Sequence, residues 1–145
     1  MIRAFIDASV LFAAAKSKTG ASREIIRLAI RGEIRLVTSQ LVFEEARRNL
    51  LAKAPEAVAE FDSFLETVSF ELVRPTRYEV EAAMEYIAAK DAPIIAAAKR
   101  AQVDFLVSLD RQHLVNVPEV EKGSGLNIIL PAKLLEQIRK QVSND

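Results

Sequence analysis

The sequence predicts an α/β domain built on a parallel sheet with helices over both faces. Three observations carry that expectation. Short apolar runs rich in branched residues alternate with helix-length amphipathic stretches, the pattern of strand–helix–strand units. The opening run, Ile2-Arg3-Ala4-Phe5-Ile6-Asp7-Ala8-Ser9, is a mostly apolar strand that ends in a carboxylate with a hydroxyl two residues on. A second apolar run, 105–110, ends the same way at Asp110. In open α/β sheets the chemistry lies outside the carboxyl ends of the strands, so both acids fall where a site belongs.

Taken in order, residues 8–15 are apolar and small, as in a helix packed on a sheet. A polar break at 16–20 precedes a helix over 21–31, with Ile25, Ile26, Leu28, Ala29 and Ile30 at helical spacing and Gly32 as its stop. Residues 34–38 read as a second strand. Ser39 is placed to cap a helix running to Lys53, with Leu41, Val42, Glu45, Ala46 and Asn49 on one side. Pro55 opens another helix to Glu66, with Val58, Phe61, Phe64 and Leu65 facing inward. Residues 69–74 form a third strand closed by Pro75. A helix over 78–90 follows, its stripe formed by Val80, Ala83, Met84 and Ile87. Asp91 and Pro93 begin another, and 94–101 are almost wholly apolar or small. Residues 111–125, interrupted by Pro118, Gly123 and Gly125, are expected to be a long surface connection. A short strand at 127–130 and an amphipathic helix over 131–141 end the chain. With no repeat, low-complexity tract or second domain, residues 1–145 read as one domain.

Composition removes several classes of function. Half the residues are hydrophobic and 28% are charged, which is a globular balance. There is no Cys, so neither disulfides nor thiolate metal sites are available, and the single His excludes sites built on several imidazoles. Twenty basic and twenty acidic side chains cancel, so any nucleic-acid partner must be met by local patches. No apolar run approaches transmembrane length, and the chain opens straight into a strand; no membrane association or signal peptide is expected, and the expected location is cytoplasmic.

Four carboxylates occupy positions at or near element ends. Asp7 and Asp110 close strands, Asp91 starts an apolar helix, and Glu45 lies on the inward side of the helix after strand two. Like charges gathered at one sheet edge repel, and a bound cation is the simplest reason to gather them. An all-oxygen set suits Mg²⁺ or Mn²⁺. Each acid also has a plainer reading. Asp91 could only cap its helix, Asp7 and Asp110 could be turn residues, and Glu44 could be the inward acid in place of Glu45, although helix position favours Glu45.

In this arrangement the chain resembles the PIN domain family of metal-dependent ribonucleases, which includes VapC-like toxins of toxin–antitoxin pairs. The resemblance follows chain order over nearly the whole length. Phe-Ile-Asp-Ala-Ser at 5–9 is similar to the family's opening Asp-x-Ser/Asn. Thr-Ser-Gln-Leu-Val-Phe-Glu-Glu at 38–45 resembles its strand-end Ser and helix Glu, a spacing that selects Glu45, with Leu50 five residues later. Lys-Asp-Ala-Pro-Ile-Ile-Ala-Ala-Ala at 90–98 is similar to its Asp-x-x-Ile-x-x-Ala helix. Val-Ser-Leu-Asp at 107–110 resembles its Thr-x-Asp, with Ser for Thr and Leu where Gly is frequent.

The resemblance implies a three-layer α/β/α sandwich around four or five parallel strands. It implies a metal-dependent endoribonuclease hydrolysing RNA phosphodiester bonds, with Asp7, Glu45, Asp91 and Asp110 holding Mg²⁺ or Mn²⁺ and Ser9 and Ser108 orienting the carboxylates or a substrate phosphate. RNA as substrate, an antitoxin protein as partner and a homodimer are its further expectations. For dimerisation the apolar faces at 58–70 and 80–87 are available, unless they are simply core. Arg48, Asn49 and Arg111 are candidate substrate contacts, and Arg47, Lys53 and His113 candidate phosphate contacts; exposed cations on helices are more often a solvated face. Lys16, Lys18 and Arg23 could line an RNA groove. The competing expectation is a non-catalytic PIN-like or receiver-like module binding RNA or protein. A receiver would want paired acids near Asp7, and a haloacid-type phosphatase needs Asp-x-Asp where this chain has Asp7-Ala8-Ser9.

Overall fold

The strand at the middle of the sheet is the first one, β1 (Arg3–Ile6), where Phe5 and Ile6 are sealed from solvent. The computed structural model describes residues 1–144, so Asp145, the last residue of the expected domain, lies outside the described residues. The remaining elements are α1 (Ala8–Lys16), α2 (Ala21–Ile30), β2 (Arg35–Thr38), α3 (Gln40–Lys53), a 3₁₀ turn (Pro55–Ala57), α4 (Val58–Thr67) and β3 (Glu71–Leu72). They are followed by α5 (Arg77–Ala83), α6 (Ala92–Ala101), β4 (Phe105–Val107), α7 (Pro118–Ser124), β5 (Ile128–Ile129) and α8 (Pro131–Asn144).

All strand pairs are parallel, in the order β3-β2-β1-β4-β5. Parallel strands need crossover connections, and right-handed crossovers put successive helices on one face until the strand order reverses. The chain builds outward from β1 to β3, then returns to β1's other side. Helices α1 to α4 therefore share one face, where α1 packs against α2, α3 and α4, and α8 returns to pack on α2. Helices α5 and α6 pack together on the opposite face. The order reverses between β1 and β4, and the open crevice of a doubly wound sheet lies at that switch point. The expected three-layer architecture with a parallel sheet is what forms.

Register across the switch is explicit: Phe5 pairs with Leu106 and Ile6 with Val107. On the other side Thr38, fully buried at the end of β2, donates its hydroxyl to the Ile6 carbonyl at 2.9 Å, so a polar residue in the core is satisfied by the strand beside it. The core runs from Ile2 to Ile138, and Phe5, Leu11, Ile25, Leu36, Phe61 and Leu134 are among its fully buried side chains.

Several sequence expectations change. The expected helix over 78–90 ends at Ala83, and turns fill the stretch to Asp91. Its start is fixed by a capping box in which Thr76 and Glu79 bond each other's backbone, and Met84 from the expected inward stripe is exposed. Leu41 and Leu65, also expected inward, face solvent. The third strand shrinks to two exposed residues at the sheet edge. The expected surface connection at 111–125 instead contains α7 and buries Leu114, Val115 and Val120. Pro118 does not interrupt that segment; it starts the helix, where its missing N–H costs nothing, and Gly125 at φ +72° ends it.

Gly123 within α7 also has a packing reason. A Cβ placed there would sit 2.5 Å from Cγ of Tyr86, so the ring occupies the space a side chain would need. Alanine is favoured over glycine in a helix by about 1 kcal/mol, yet Gly123→Ala should destabilise the protein by about 1–3 kcal/mol through overpacking. In a Tyr86→Ala background the same change should be neutral or stabilising. Denaturant unfolding of the four proteins checks this, and equal effects in both backgrounds would contradict it.

Candidate active site at the β1–β4 crevice

Asp7 follows β1 directly, and its extended backbone makes it the N-cap of α1. One carboxylate oxygen, Oδ1, accepts from the Val10 backbone N–H at 3.2 Å and from the Ser9 hydroxyl at 2.5 Å. The other, Oδ2, accepts from the hydroxyl of Ser108, which is fully buried just beyond β4. Asp7 is itself buried. Burial drives its carboxyl above the ordinary carboxylate range, and the bonds from Ser108, Ser9 and Val10 offset only part of that rise.

Each serine oxygen also works in the opposite direction. Ser9 Oγ accepts the Leu109 backbone N–H at 3.0 Å, and Ser108 Oγ accepts the Asp110 N–H at 3.0 Å. Both hydroxyls thus give their proton to Asp7 and take an N–H from the chain leaving β4. The β4 loop is tied to the β1–α1 turn through one carboxylate.

Asp110 stands at the end of that loop, half-buried. Its Oδ1 accepts the N–H groups of Gln112 at 3.0 Å and His113 at 2.9 Å, and its Oδ2 lies 3.1 Å from His113 Nδ1. Burial works upward on this carboxyl, but the backbone and ring bonds of His113 and the Gln112 N–H outweigh it and hold the group below its usual range.

Asp91 precedes α6 in the N-cap position but with helical backbone, and its side chain makes no capping bond. The plain capping reading therefore fails. Its Oδ2 is buried with no hydrogen-bond partner among the described residues. Burial raises its pKa; Lys90 acts against that, neighbouring Asp110 adds to it, and His113 lowers it. Two adjacent carboxylates and an orphaned buried oxygen at a helix N-terminus are what a positive ion would relieve.

Glu45, in the second turn of α3, is half-buried, whereas Glu44 is exposed and lines a groove with Gln40, Phe43 and Leu72 at the β3 edge. The inward acid is Glu45, as helix position suggested. It has no hydrogen bond or ion pair among the described residues. Ser39 caps α3 through the Val42 N–H, so the helix starts where expected. No group of three His, Asp or Glu among the described residues is arranged to hold a metal ion as it stands. The structure thus joins Asp7, Ser9, Ser108, Asp110 and Asp91 through bonds and charge, and leaves Glu45 apart from that network.

Among the candidate cations, Arg48 and Arg111 are exposed and enter no ion pair among the described residues, and Asn49 is half-buried. Arg47 instead pairs with Asp62 and stacks near Phe61. Arg23 is engaged inside the fold: it pairs with Glu60, donates to the Ala14 carbonyl and lies 4.9 Å from the Phe64 ring centre. The expected basic groove with Lys16 and Lys18 therefore loses its third member. The sequence offered His113 as a phosphate contact, not as a partner of Asp110; its spacing of three from Asp110 was the signal available.

The family model described as PIN domain matches residues 3–112, and the chain belongs to that family. No curated protein matches the sequence. Among solved structures, PAE2754 from Pyrobaculum aerophilum superposes with a TM-score of 0.67 at 20% identity, covering 96% of this chain and 90% of its own. VapC20 from Mycobacterium tuberculosis, described as a sarcin–ricin loop cleaving toxin, gives 0.55 at 18% identity, covering 75% and 91%. VapBC2 from Rickettsia felis, bound to a DNA fragment from its promoter, gives 0.62 at 13% identity, covering 89% and 98%.

The pKa directions have a consequence for stability. Folded Asp7 holds its proton more tightly than the unfolded chain does, so the unfolded state binds fewer protons and stability falls as pH rises. The penalty is absent below the unfolded value of about 3.9 and complete once pH has passed the folded value. Asp7→Asn keeps an oxygen for the Val10 N–H and removes the penalty. Its metal-free melting temperature should equal or exceed that of the parent at pH 8, the difference shrinking toward pH 4. A loss of stability that is the same at both pH values would contradict the assignment.

Proposed function

We propose that this protein is a metal-dependent endoribonuclease that hydrolyses RNA phosphodiester bonds, with Mg²⁺ or Mn²⁺ held by Asp7, Asp91 and Asp110 and completed by Glu45. Membership of the PIN domain family supports the reaction class. The observation that carries the assignment to these residues is the buried, unpartnered Oδ2 of Asp91 beside Asp110, in a donor set made wholly of carboxylate oxygen. Such a set suits a hard divalent cation that keeps several waters and meets phosphate oxygens.

When bound, the cation would neutralise charge on the scissile phosphate and make water a competent nucleophile at neutral pH. The chain's own residues supply placement. Asp7, fixed by Ser9, Ser108 and the Val10 N–H, presents its carboxylate from the floor of the crevice in one orientation. Asp91 faces the same region from the α6 terminus, where the helix dipole favours negative charge and, by extension, an approaching phosphate. Arg48, Asn49 and Arg111 would contact the RNA backbone and set its register, not its sequence.

Similarity to the VapC20 toxin and to the VapBC2 assembly supports a toxin role with an antitoxin protein as partner; a homodimer as the working unit belongs to the same proposal. A cytoplasmic setting goes with that role; no helix among the described residues is long and apolar enough to cross a membrane. A non-catalytic RNA- or protein-binding module is the second reading. The observation in its favour is that no three acids among the described residues are arranged to hold an ion as they stand.

Cleavage of a mixed RNA pool separates the two. With Mg²⁺ or Mn²⁺ the folded protein should cut RNA, and chelation or Asp91→Asn should return cutting to background. Ser108→Ala, which only loosens Asp7, should retain cutting at about 10–100-fold lower activity. Metal-independent cutting, or full activity in Asp91→Asn, would contradict the proposal.

A further inference from the structure

We propose that His113 is a positioning residue that fixes Asp110 for cation binding, an inference that rests on the metal-site reading above. Asp110 lies beyond the end of β4, on a loop, where a carboxylate would otherwise sample several rotamers. Three donors remove that freedom. The Gln112 and His113 N–H groups both reach Oδ1, and the His113 ring reaches Oδ2 through Nδ1 at 3.1 Å. A carboxylate can only accept, so Nδ1 must carry the proton, and the tautomer follows from the contact.

The ring is itself held, being half-buried and followed directly by Leu114 and Val115, which are in the core. The Leu114 and Val115 N–H groups return to the Asp110 carbonyl at 3.2 and 2.8 Å, closing the turn on which both side chains stand. Asp110 is thus held by three donors, while Asp91, whose charge it feels, has a buried Oδ2 without a partner among the described residues. One fixed carboxylate beside one free one is a sensible division: the first sets where an ion sits, and the second closes on it. Oδ1 spends both of its lone pairs on the two N–H groups, whereas Oδ2 accepts from the ring alone and keeps a lone pair for that ion. Hydrogen bonds that orient a ligating carboxylate typically contribute about 10–100-fold in metal affinity.

Two measurements test this. In metal-free protein at pH 8, nitrogen-15 spectra of the imidazole should show the proton on Nδ1; a proton on Nε2 with Nδ1 bare would overturn the inference without touching the metal-site reading. Mn²⁺ titration of folded protein by electron paramagnetic resonance should then show about 10–100-fold weaker binding in His113→Leu. His113→Asn, whose amide N–H can occupy the Nδ1 position, should recover most of the affinity, whereas His113→Gln should not. Equal Mn²⁺ affinity in parent, Leu and Asn variants would overturn the inference and leave the metal site standing. Absence of Mn²⁺ binding by the folded parent would overturn both.

Discussion

A carboxylate buried at the end of a central strand is expensive, because removing its charge from water costs several kcal/mol unless donors replace the lost solvent. Asp7 is in that position, and the arrangement around the crevice answers it. The β1–β4 register sets Val107 beside Ile6, so the next residue of each chain, Asp7 and Ser108, fall together. Ser9 comes from the first turn of α1 and Val10 from the same helix terminus. Donors from two segments about a hundred residues apart converge on one side chain. Because each serine also accepts an N–H from the β4 loop, satisfying Asp7 and shaping that loop are one event.

Asp91 is left less well satisfied than Asp7 or Asp110. Asp91 has a buried oxygen without a partner and a second carboxylate close by, and burial has raised both it and Asp7 above their usual range. Structures tolerate such strain where it serves a function, and carboxylates pushed this way in a crevice at the sheet's switch point mark a candidate functional site, in keeping with the cation proposed for it. The helix termini under Asp7 and Asp91 reduce the cost without removing it. What remains is a local instability that binding of positive charge would convert into affinity.

Much of this was legible beforehand. The strand that ends in Asp7, the Ser39 cap and the full extent of α3 follow from local chemistry, since caps and apolar periodicity act within a few residues. Glu45 over Glu44 followed from the same periodicity. What was not legible depends on distant register or on context. The bond from Ser108 to Asp7 exists only because β4 lies beside β1. Residues 84–90 keep a helical apolar pattern, with Tyr86 and Ile87 packed on the core, although the backbone leaves the helix after Ala83. Pro118 and two glycines suggested an open loop, yet proline at a first helical turn and glycine after the last are also how a short helix is bounded. His113 was read only as a candidate phosphate contact, because its spacing of three from Asp110 is a weak signal in an expected loop and does not by itself say that the ring returns to that carboxylate.

The most direct test of the account is where a divalent cation goes. A crystal of the protein grown or soaked with Mn²⁺ can be examined by anomalous diffraction at the manganese edge. The account predicts a peak in the crevice within coordination distance of Asp91 and Asp110, with Asp7 beside it and Glu45 turned toward it. Ordered Mn²⁺ elsewhere, or a crevice without manganese at saturating concentration, would contradict the reading that these carboxylates were gathered to hold a metal ion.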